Sequence, residues 1–325
     1  MNNRSTFFLI LIFSFQLFAS ENDSIVPNDV HQPWQKDLLK VRHLNDSLHV
    51  TYVENNALFE QRWDLLAHPV FWKTMMTLQP DSCVINIAKT REIVARMCVE
   101  DWEAQSDEEK ETYRDSIKAA HGLGEDDKVY MTTGKSDFYA FDLAFPTVSK
   151  GVESFERHGV DPWYAQAILL IESPGRIARS NVGAYGSFQL MPSVARKHGL
   201  TVNRYVDERK DFEKSAIAAS DLIQSTCIPE AKNILAQHGL KFEETDLWFR
   251  LFVLHVYHAG AYNVAQVVDK INPSKGGGQL IQDMWVTEAG RFKNASQNYS
   301  QLALAAMLIF EDILWSSCES VAMNG

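Results

Sequence analysis

The feature that most constrains this chain is the passage from an apolar segment into a glycine-rich turn across Asp161–Pro192. Asp161 can accept hydrogen bonds from free backbone N–H groups, and Pro162 suits the first position of a helix, so a helix is expected to begin here. Apolar side chains recur at spacings of three, four and seven or eight residues, namely Trp163, Ala167, Leu170 and Ile171. Pro174 favours an end to the helix near Ser173.

Glu172 lies in the last turn of this predicted helix. The C-terminal end of a helix is the negative end of its dipole, and the side chains before Glu172 are apolar. Both effects disfavour a carboxylate, so the pKa of Glu172 is expected to be raised. A carboxylic acid that keeps its proton near neutral pH suits a general acid. Glu172 is therefore the candidate catalytic residue.

Two motifs are more specific than the acid alone. Residues 180–192 read S-x-x-G-A-x-G-x-x-Q-x-M-P, and residues 256–260 read V-Y-H-A-G, followed by Val264. In this order the motifs resemble those of the lytic transglycosylase SLT domain, a lysozyme-like family that cleaves the glycan strands of peptidoglycan. The resemblance extends roughly from Phe145 to the C-terminus. It implies a mainly α protein with a lysozyme-like helical catalytic domain.

The resemblance also implies which residues act. Glu172 would be both acid and base in cleavage of the β-1,4 bond between MurNAc and GlcNAc. The substrate's own N-acetyl group would stabilise the cation, and Glu172 would then take the proton of the muramoyl 6-hydroxyl as a 1,6-anhydro ring closes. The residues expected to bind or position the substrate are Ser173, Ser180, Gln189, Met191, Tyr257 and His258. The reaction implied needs no cofactor and no metal.

The sequence departs from the family pattern at three places. Pro174–Ile177 stands where the family has an aromatic residue and a proline, Ser187–Phe188 replaces Leu-Met, and His258 replaces asparagine. These changes concern the expected sugar subsites, so two other functions stay open. One is a lysozyme-type muramidase, a hydrolase of the same fold. The other is a catalytically weak peptidoglycan-binding or scaffold protein.

The charges that follow Glu172 bear on this choice. No acidic residue occurs between Glu172 and Asp207. A hydrolase with two catalytic carboxylates needs the second one about 5–10 Å from the first, whereas the transglycosylase mechanism does not. The same interval carries a set of basic residues, Arg176, Arg179, Arg196, Lys197 and Arg204. They are expected either to attract the carboxylates of peptidoglycan or to be ordinary surface charge.

The first residues, Met1–Ser20, have the pattern of a secretory signal. Arg4 precedes an apolar run from Phe7 to Phe18, and small residues follow. The run is short for a membrane span, so we expect export to the periplasm or cell envelope of a bacterium, with no stable membrane span after signal removal. The formal net charge of −11 disfavours nucleic acid, which requires clustered Lys and Arg. The expected partner is the peptidoglycan glycan strand.

The cysteines Cys83, Cys98, Cys227 and Cys318 allow two disulfides in three pairings in an exported protein. A Cys83–Cys98 bridge is disfavoured if Asn86–Arg96 is helical, because such a helix would hold its ends more than ~7 Å apart. Cys227–Cys318 is the favoured pair, and four buried free thiols are the alternative. Neither the cysteines nor His255 and His258 form a metal-binding pattern.

The chain is expected to divide into a signal peptide (residues 1–20), a helical N-terminal accessory region (21–144) and the lysozyme-like domain (145–325). In the accessory region the apolar spacing predicts helices in Trp34–Leu66, His68–Leu78 and Asn86–Trp102. Ser106 and Glu109 form a capping-box pattern for a further helix that ends at Gly122. A small β-hairpin is expected from Val129–Met131 and Phe138–Phe141.

The catalytic region is expected to be helical at Phe145–His158, Asp211–Thr226 with an interruption near Pro229, Asp246–His258, Tyr262–Lys270 and Tyr299–Trp315. The helix Asp246–His258 is apolar on nearly every side, which predicts that it is buried and that it carries Tyr257 to the cleft. Asn272–Gln279 contains three consecutive glycines and is expected to be a loop.

Overall fold

A computed structural model of the chain describes residues 32–43, 49–173, 180 and 182–320. Most of the elements in these residues are α-helices, which confirms the mainly α prediction. The secretory signal at Met1–Ser20 and the altered loop at Pro174–Ile177 lie outside the described residues.

The described chain begins with a strand pair. β1 (Leu38–His43) and β2 (His49–Val53) are antiparallel, with Leu38 opposite Val53. The prediction of a helical Trp34–Leu66 is therefore wrong, since α1 (Asn56–Glu60) is the one α-helix among the described residues of that span. β-Branched and aromatic residues fill β2, and they favour a strand that packs against neighbours on one sheet.

A second sheet replaces another predicted helix. After α2 (Ala67–Thr77), which confirms the helix expected at His68–Leu78, the chain forms β3 (Ser82–Ile87), β4 (Ile93–Cys98) and the short α3 (Val99–Glu103). The helix predicted over Asn86–Trp102 is wrong because half of β3 is β-branched, five of its six residues are buried, and β4 pairs with it.

The capping box is confirmed. In α4 (Asp107–Ala120), Ser106 Oγ accepts a hydrogen bond from the Glu109 N–H, and the Glu109 carboxylate accepts one from the Ser106 N–H. β5 (Val129–Thr133) then pairs with β3, so the sheet order is β4-β3-β5. Phe138–Phe141 is not a strand, and the predicted local hairpin is wrong because β5 finds its partner in β3.

The helices that lead to the central stretch follow the prediction closely. α5 (Phe145–Arg157) precedes α6 (Trp163–Glu172), and α7 (Pro192–Lys197) follows the glycine-rich turn. Asp161 Oδ1 accepts a hydrogen bond from the Trp163 N–H at 3.0 Å, as its position suggested. Helix α6 begins at Trp163, one residue after Pro162, and ends at Glu172.

Six helices complete the chain, and the third of them, α10, is the buried one. They are α8 (Phe212–Leu222), α9 (Ile228–Gln237), α10 (Leu247–Ala259), α11 (Ala261–Ile271), α12 (Gly278–Val286) and α13 (Ala295–Ser317). After α13, β6 (Cys318–Ser320) pairs with β1. The interruption of the helix that was expected near Pro229 is not seen, because a π-helical turn at Ile223–Cys227 joins α8 to α9. The loop expected at Asn272–Gln279 is shorter than predicted, since α12 begins at Gly278.

One hydrophobic core joins the two ends of the chain. It contains Tyr52 and Val53 of β2 together with the apolar faces of α5, α6, α10 and α13. Gln166 of α6 binds the edge of β2: its Nε2 donates to the Val53 carbonyl and its Oε1 accepts from the Val53 N–H, both at 2.9 Å. A smaller core lies between the second sheet and α4, with Cys83, Trp102 and Ile117. The division expected at residues 144 and 145 stays a prediction.

The described cysteine thiols are free. Cys83 and Cys227 are buried and Cys98 is exposed. The favoured Cys227–Cys318 pair is therefore not formed. The alternative of buried free thiols holds for Cys83 and Cys227, whereas Cys98 is free but exposed. Within the part of the chain that the structure describes, no helix has both the length and the apolarity to cross a membrane.

Candidate active site

Glu172 is the last residue of α6, at the point where this buried helix leaves the hydrophobic core. All nine residues before it in the helix are buried, and Glu172 itself is half-buried. The backbone leaves the helical conformation at Ser173, with φ −145° and ψ 51°. The helix therefore holds its only acid at the point where the apolar segment ends.

A tyrosine from the far end of the chain binds this acid. The Tyr299 hydroxyl, on the first turns of α13, donates a hydrogen bond of 2.9 Å to Glu172 Oε1. Burial raises the pKa of Glu172 to about 7, and the hydrogen bond from Tyr299 opposes part of that increase. The raised pKa expected from the sequence is confirmed, with burial as its main cause.

Two further tyrosines lie within the electrostatic reach of Glu172. Burial, followed by the charge of Glu172, raises the pKa of Tyr139 to about 12 and that of Tyr257 well above its usual range. The Tyr257 hydroxyl donates a hydrogen bond of 2.5 Å to the carbonyl of Phe188. Tyr257 is thus near enough to Glu172 for its pKa to be affected by that charge, and it also contacts the glycine-rich turn.

Two hydrogen bonds join Ser180 to Ala184 within the glycine-rich turn. Ser180 Oγ accepts a hydrogen bond from the Ala184 N–H at 2.9 Å, and the Ser180 N–H donates to the Ala184 carbonyl at the same distance. Ser173 is buried, and its Oγ donates to the carbonyl of Ser187 at 3.2 Å. Ser173 therefore connects the end of α6 to the turn through the turn's backbone, whereas Ser180 binds within the turn.

Gln189 and Met191 lie at the C-terminal side of the same turn. Gln189 has a left-handed φ of 46°, and its Nε2 donates to the Gly186 carbonyl at 2.9 Å. Met191 is 39% exposed and precedes α7. Phe188, which directly precedes Gln189, is fully buried and stacks on Phe155, so this departure from the family pattern belongs to the core.

A buried arginine holds the turn from behind. Arg209 is 1% exposed, and its Nη1 donates hydrogen bonds of 2.8 Å to the carbonyls of Gly183 and Leu190. Its Nε and Nη2 bind the carboxylate of Asp207 at 2.8 and 2.7 Å. The Arg209 carbonyl lies so close to Gly186 that a Cβ on that glycine would be 1.9 Å from it. The turn is therefore fixed at both ends by one side chain.

His258 is an exposed residue whose ring stacks on Tyr299 at 4.3 Å between centroids. Although the residue as a whole is exposed, partial burial of the ring lowers its pKa to about 4. The stacking places His258 next to the tyrosine that binds Glu172. The charge of His258 is not among the causes that shift the pKa of Glu172.

Among the described residues, no second carboxylate contributes to the pKa of Glu172. The causes that act on this pKa are burial and the hydrogen bond from Tyr299. Asp207, the first acid after it in the sequence, is occupied by Arg209. Of the basic residues in the interval, Arg176 and Arg179 lie outside the described residues, and Arg196 donates to the carbonyl of Val202. No group of three or more metal-ligating side chains is found within the described ranges.

Sequence reasoning missed Tyr299, Tyr139 and Arg209. Tyr299 begins the apolar segment that predicted α13, but nothing local pairs it with Glu172, which lies 127 positions earlier. The arginine follows Asp207 closely, and a charged pair next to a glycine-rich motif is the one local signal that could have suggested its role. The tyrosine Tyr139 was instead expected to lie in a strand.

The comparisons with known proteins agree with this geometry. A sequence model described as Transglycosylase SLT domain matches residues 153–275, which include α6, the glycine-rich turn and α10. No curated protein matches the chain. The family match carries a lysozyme-like helical fold and an activity on peptidoglycan. Residues 153–275 of this chain therefore match the SLT transglycosylase domain family.

Proposed function

We propose that the protein is a peptidoglycan lytic transglycosylase with Glu172 as its catalytic acid and base. The observation that carries the proposal is the buried carboxyl of Glu172, whose pKa is raised to about 7 and which accepts a hydrogen bond from Tyr299. Such a group is a competent proton donor at neutral pH and a competent base once it has lost its proton. The family match supports the same substrate class.

The chemistry proceeds in two steps. Glu172 donates its proton to the oxygen that links the sugars, and the bond from this oxygen to C1 of MurNAc breaks. The substrate's N-acetyl oxygen stabilises the cation at C1. The 6-hydroxyl oxygen of the same sugar then bonds to C1 and returns its proton to Glu172. No water is consumed, so the product is a 1,6-anhydro sugar and the enzyme regains its starting state.

The surrounding residues have supporting roles in this proposal. Tyr299 stabilises the carboxylate form of Glu172 between the two steps. Tyr257 and Ser173 hold the turn through the carbonyls of Phe188 and Ser187. Ser180, Gln189, Met191 and His258 remain candidates for contact with the glycan, and export to the cell envelope, where peptidoglycan lies, remains part of the proposal.

The test is digestion of purified sacculi followed by mass spectrometry of the products. Wild-type protein should release fragments one water lighter than hydrolysis products. Glu172→Gln keeps the size of the side chain and its ability to accept from Tyr299 but cannot transfer a proton. We expect it to lose turnover by about 10⁴-fold, at the upper end of general acid–base effects, while glycan binding survives.

Glu311→Gln is the matched control. Glu311 is 2% exposed on α13, burial raises its pKa, and it accepts hydrogen bonds from Asn55 as Glu172 does from Tyr299. This variant should keep wild-type turnover. Full activity in Glu172→Gln would remove Glu172 from its role. Products that all carry a reducing MurNAc end would make the protein a muramidase, and glycan binding without turnover by wild type would make it a binding protein.

A further inference from the structure

A second cavity, separate from the residues around Glu172, lies between the β3–β4 hairpin and helices α12 and α13. Its volume is about 280 Å³, and its walls include Arg91, Tyr130, Trp285 and Asn298. None of the proposed catalytic or substrate-binding residues lines it. It is close to the active site along the chain, however, because Asn298 directly precedes Tyr299 on α13.

The most unusual group in this cavity is Arg91, in the hairpin turn. Its φ is 60°, a left-handed conformation that side chains other than glycine and asparagine rarely adopt. The guanidinium lies 5.0 Å from the ring centre of Phe71 and 5.7 Å from that of Trp72, and Nη2 donates to Asn298 Oδ1 at 3.5 Å. The backbone is thus held in an unfavourable conformation that directs this cation toward the cavity.

Arg91 has no carboxylate within ion-pair distance among the residues that the structure describes. Lys89 and Lys128, which also line the cavity, have none either. A half-buried cation without a carboxylate partner costs free energy, and burial lowers the pKa of Arg91. An anionic group that entered the cavity would meet three cations, none of which has a carboxylate within ion-pair distance.

The same walls carry acids. Asp126, Asp127 and Glu288 line the cavity together with the three basic residues. Asp127 Oδ2 accepts a hydrogen bond from the Gly124 N–H, and none of the three acids forms an ion pair with a described residue. A simple anion or cation would therefore meet both attraction and repulsion, whereas a ligand with one charge of each sign could satisfy both groups.

The size of the cavity limits the ligand further. Its volume of about 280 Å³ is just below the range for small-molecule sites, about 300–1,000 Å³, so it suits one or two amino-acid residues and not a glycan strand. Amide groups of Asn298 and Gln297 and the ring of Trp285 complete the walls. Such groups bind peptide bonds and short side chains.

We infer that this cavity binds the zwitterionic end of a short peptide, with the carboxylate at Arg91, Lys89 and Lys128 and the ammonium at Asp126, Asp127 and Glu288. The inference rests on the proposed function in one respect, the source of the peptide: the peptide stems of peptidoglycan carry free amino and carboxyl groups. The binding itself is measured without turnover, so a failure here and a failure of the proposed function are distinguishable.

The experiment is isothermal titration of the full-length protein with D-alanyl-D-alanine, its N-acetyl derivative and its carboxamide. The unmodified dipeptide should bind, and each derivative should bind about tenfold or more weakly, because each lacks one charge that forms charge-assisted hydrogen bonds. Absence of saturable binding by the dipeptide would overturn the inference. Equal binding of the three compounds would overturn it as well.

Variants locate the site. Arg91→Gly removes the guanidinium and suits the left-handed φ, so the turn keeps its conformation. It should weaken dipeptide binding about tenfold or more, to the level of the carboxamide. Arg62→Gly is the matched control, because Arg62 also has a φ of 60° and does not line the cavity. Lys89→Met, at an exposed position, is a second variant that should also weaken binding. Unchanged affinity in both Arg91→Gly and Lys89→Met would place the ligand elsewhere.

Discussion

At the scale of single residues, two opposing features of its environment set the pKa of Glu172. The apolar helix α6 removes water from the carboxyl, which raises its pKa, and the Tyr299 hydroxyl stabilises the ionised form, which lowers it. The result is a pKa of about 7. At neutral pH the carboxyl is therefore divided between its acid and base forms, and both are needed in the proposed cycle.

This pKa predicts a pH-dependent stability. The unfolded chain releases the Glu172 proton near pH 4.5 and the folded chain at about 7, so between these values the folded state binds more protons and the free energy of unfolding falls as pH rises. Glu172→Gln has no such group. Its stability relative to wild type should therefore increase by about 3 kcal/mol between pH 4 and pH 8, at about 1.4 kcal/mol per pKa unit.

Thermal or denaturant unfolding of both proteins at a series of pH values measures this difference. Below pH 4 the two should be nearly equal, because Glu172 is neutral in both states. A difference that does not change with pH would show that burial does not raise the pKa of Glu172.

Tyr299→Phe tests the opposing hydrogen bond. Loss of the hydroxyl removes the group that stabilises the carboxylate, so the pKa of Glu172 should rise further. Because the first step requires the protonated acid, kcat/KM falls as pH rises through this pKa. The falling limb of the profile should therefore move to higher pH in the variant, and pH profiles of sacculus digestion measure it.

Tyr257→Phe is the control for that shift. The Tyr257 hydroxyl donates to the carbonyl of Phe188 and not to Glu172. Its loss should lower activity through the turn and leave the midpoint of the falling limb near that of wild type. An equal movement of the limb in both variants would contradict the role assigned to Tyr299.

At the scale of elements, the glycine-rich turn is held by groups from three other parts of the chain. Arg209 binds the carbonyls of Gly183 and Leu190, Tyr257 binds that of Phe188, and Ser173 binds that of Ser187. The turn therefore has one backbone conformation next to Glu172, although its own sequence contains flexible glycines.

Two glycines of the turn predict different costs of substitution. Gly183 and Gly186 both have a left-handed φ, 92° and 85°. A Cβ at Gly183 would meet nothing within 4 Å, whereas one at Gly186 would lie 1.9 Å from the Arg209 carbonyl. Gly183→Ala should cost about 1–2 kcal/mol from backbone strain alone, and Gly186→Ala about 1–3 kcal/mol more from overlap with Arg209.

Denaturant unfolding of the two variants provides the comparison. Activity should follow the same order, because displacement of Arg209 releases both ends of the turn. Equal stability of Gly183→Ala and Gly186→Ala would show that the turn can move away from Arg209 without cost.

At the scale of the whole molecule, the N-terminal strands are part of the core that supports the catalytic helix. Gln166, fully buried in α6, binds both backbone groups of Val53, and Ser149 of α5 accepts from the Thr51 N–H at 2.9 Å. These bonds satisfy the edge of β2 inside the core. The helix that carries Glu172 is thus packed against residues from near the start of the described chain.

Gln166→Leu tests this connection. Leucine leaves the Val53 N–H buried without its partner, which costs about 1–3 kcal/mol, whereas the Val53 carbonyl keeps the hydrogen bond from Asn55 Nδ2. We expect a loss of about 1–4 kcal/mol in the free energy of unfolding. Gln279→Leu is the control: Gln279 is exposed and bonds Asp283 within its own helix, so its change should be within about 0.5 kcal/mol. Equal effects in the two variants would mean that β2 does not support α6.

The sequence by itself determined the helices whose signals are local. Proline and the apolar spacing fix α6 and its end at Glu172, the Ser106–Glu109 box fixes the start of α4, and the continuous apolar run identifies α10. Two motifs were enough to indicate the family of residues 153–275. These features depend on residues a few positions apart, so the local sequence is enough to predict them.

Only the tertiary structure decided the contacts between distant residues. Nothing near Tyr299 in the sequence indicates that its hydroxyl meets Glu172, and nothing near Val129 indicates that β5 pairs with β3 and not with a local partner. In the N-terminal part, aromatic residues at helical spacing also fit strands, and burial against α5 and α6 selected the strands. Such choices depend on packing free energies summed over the whole core, which no local pattern contains.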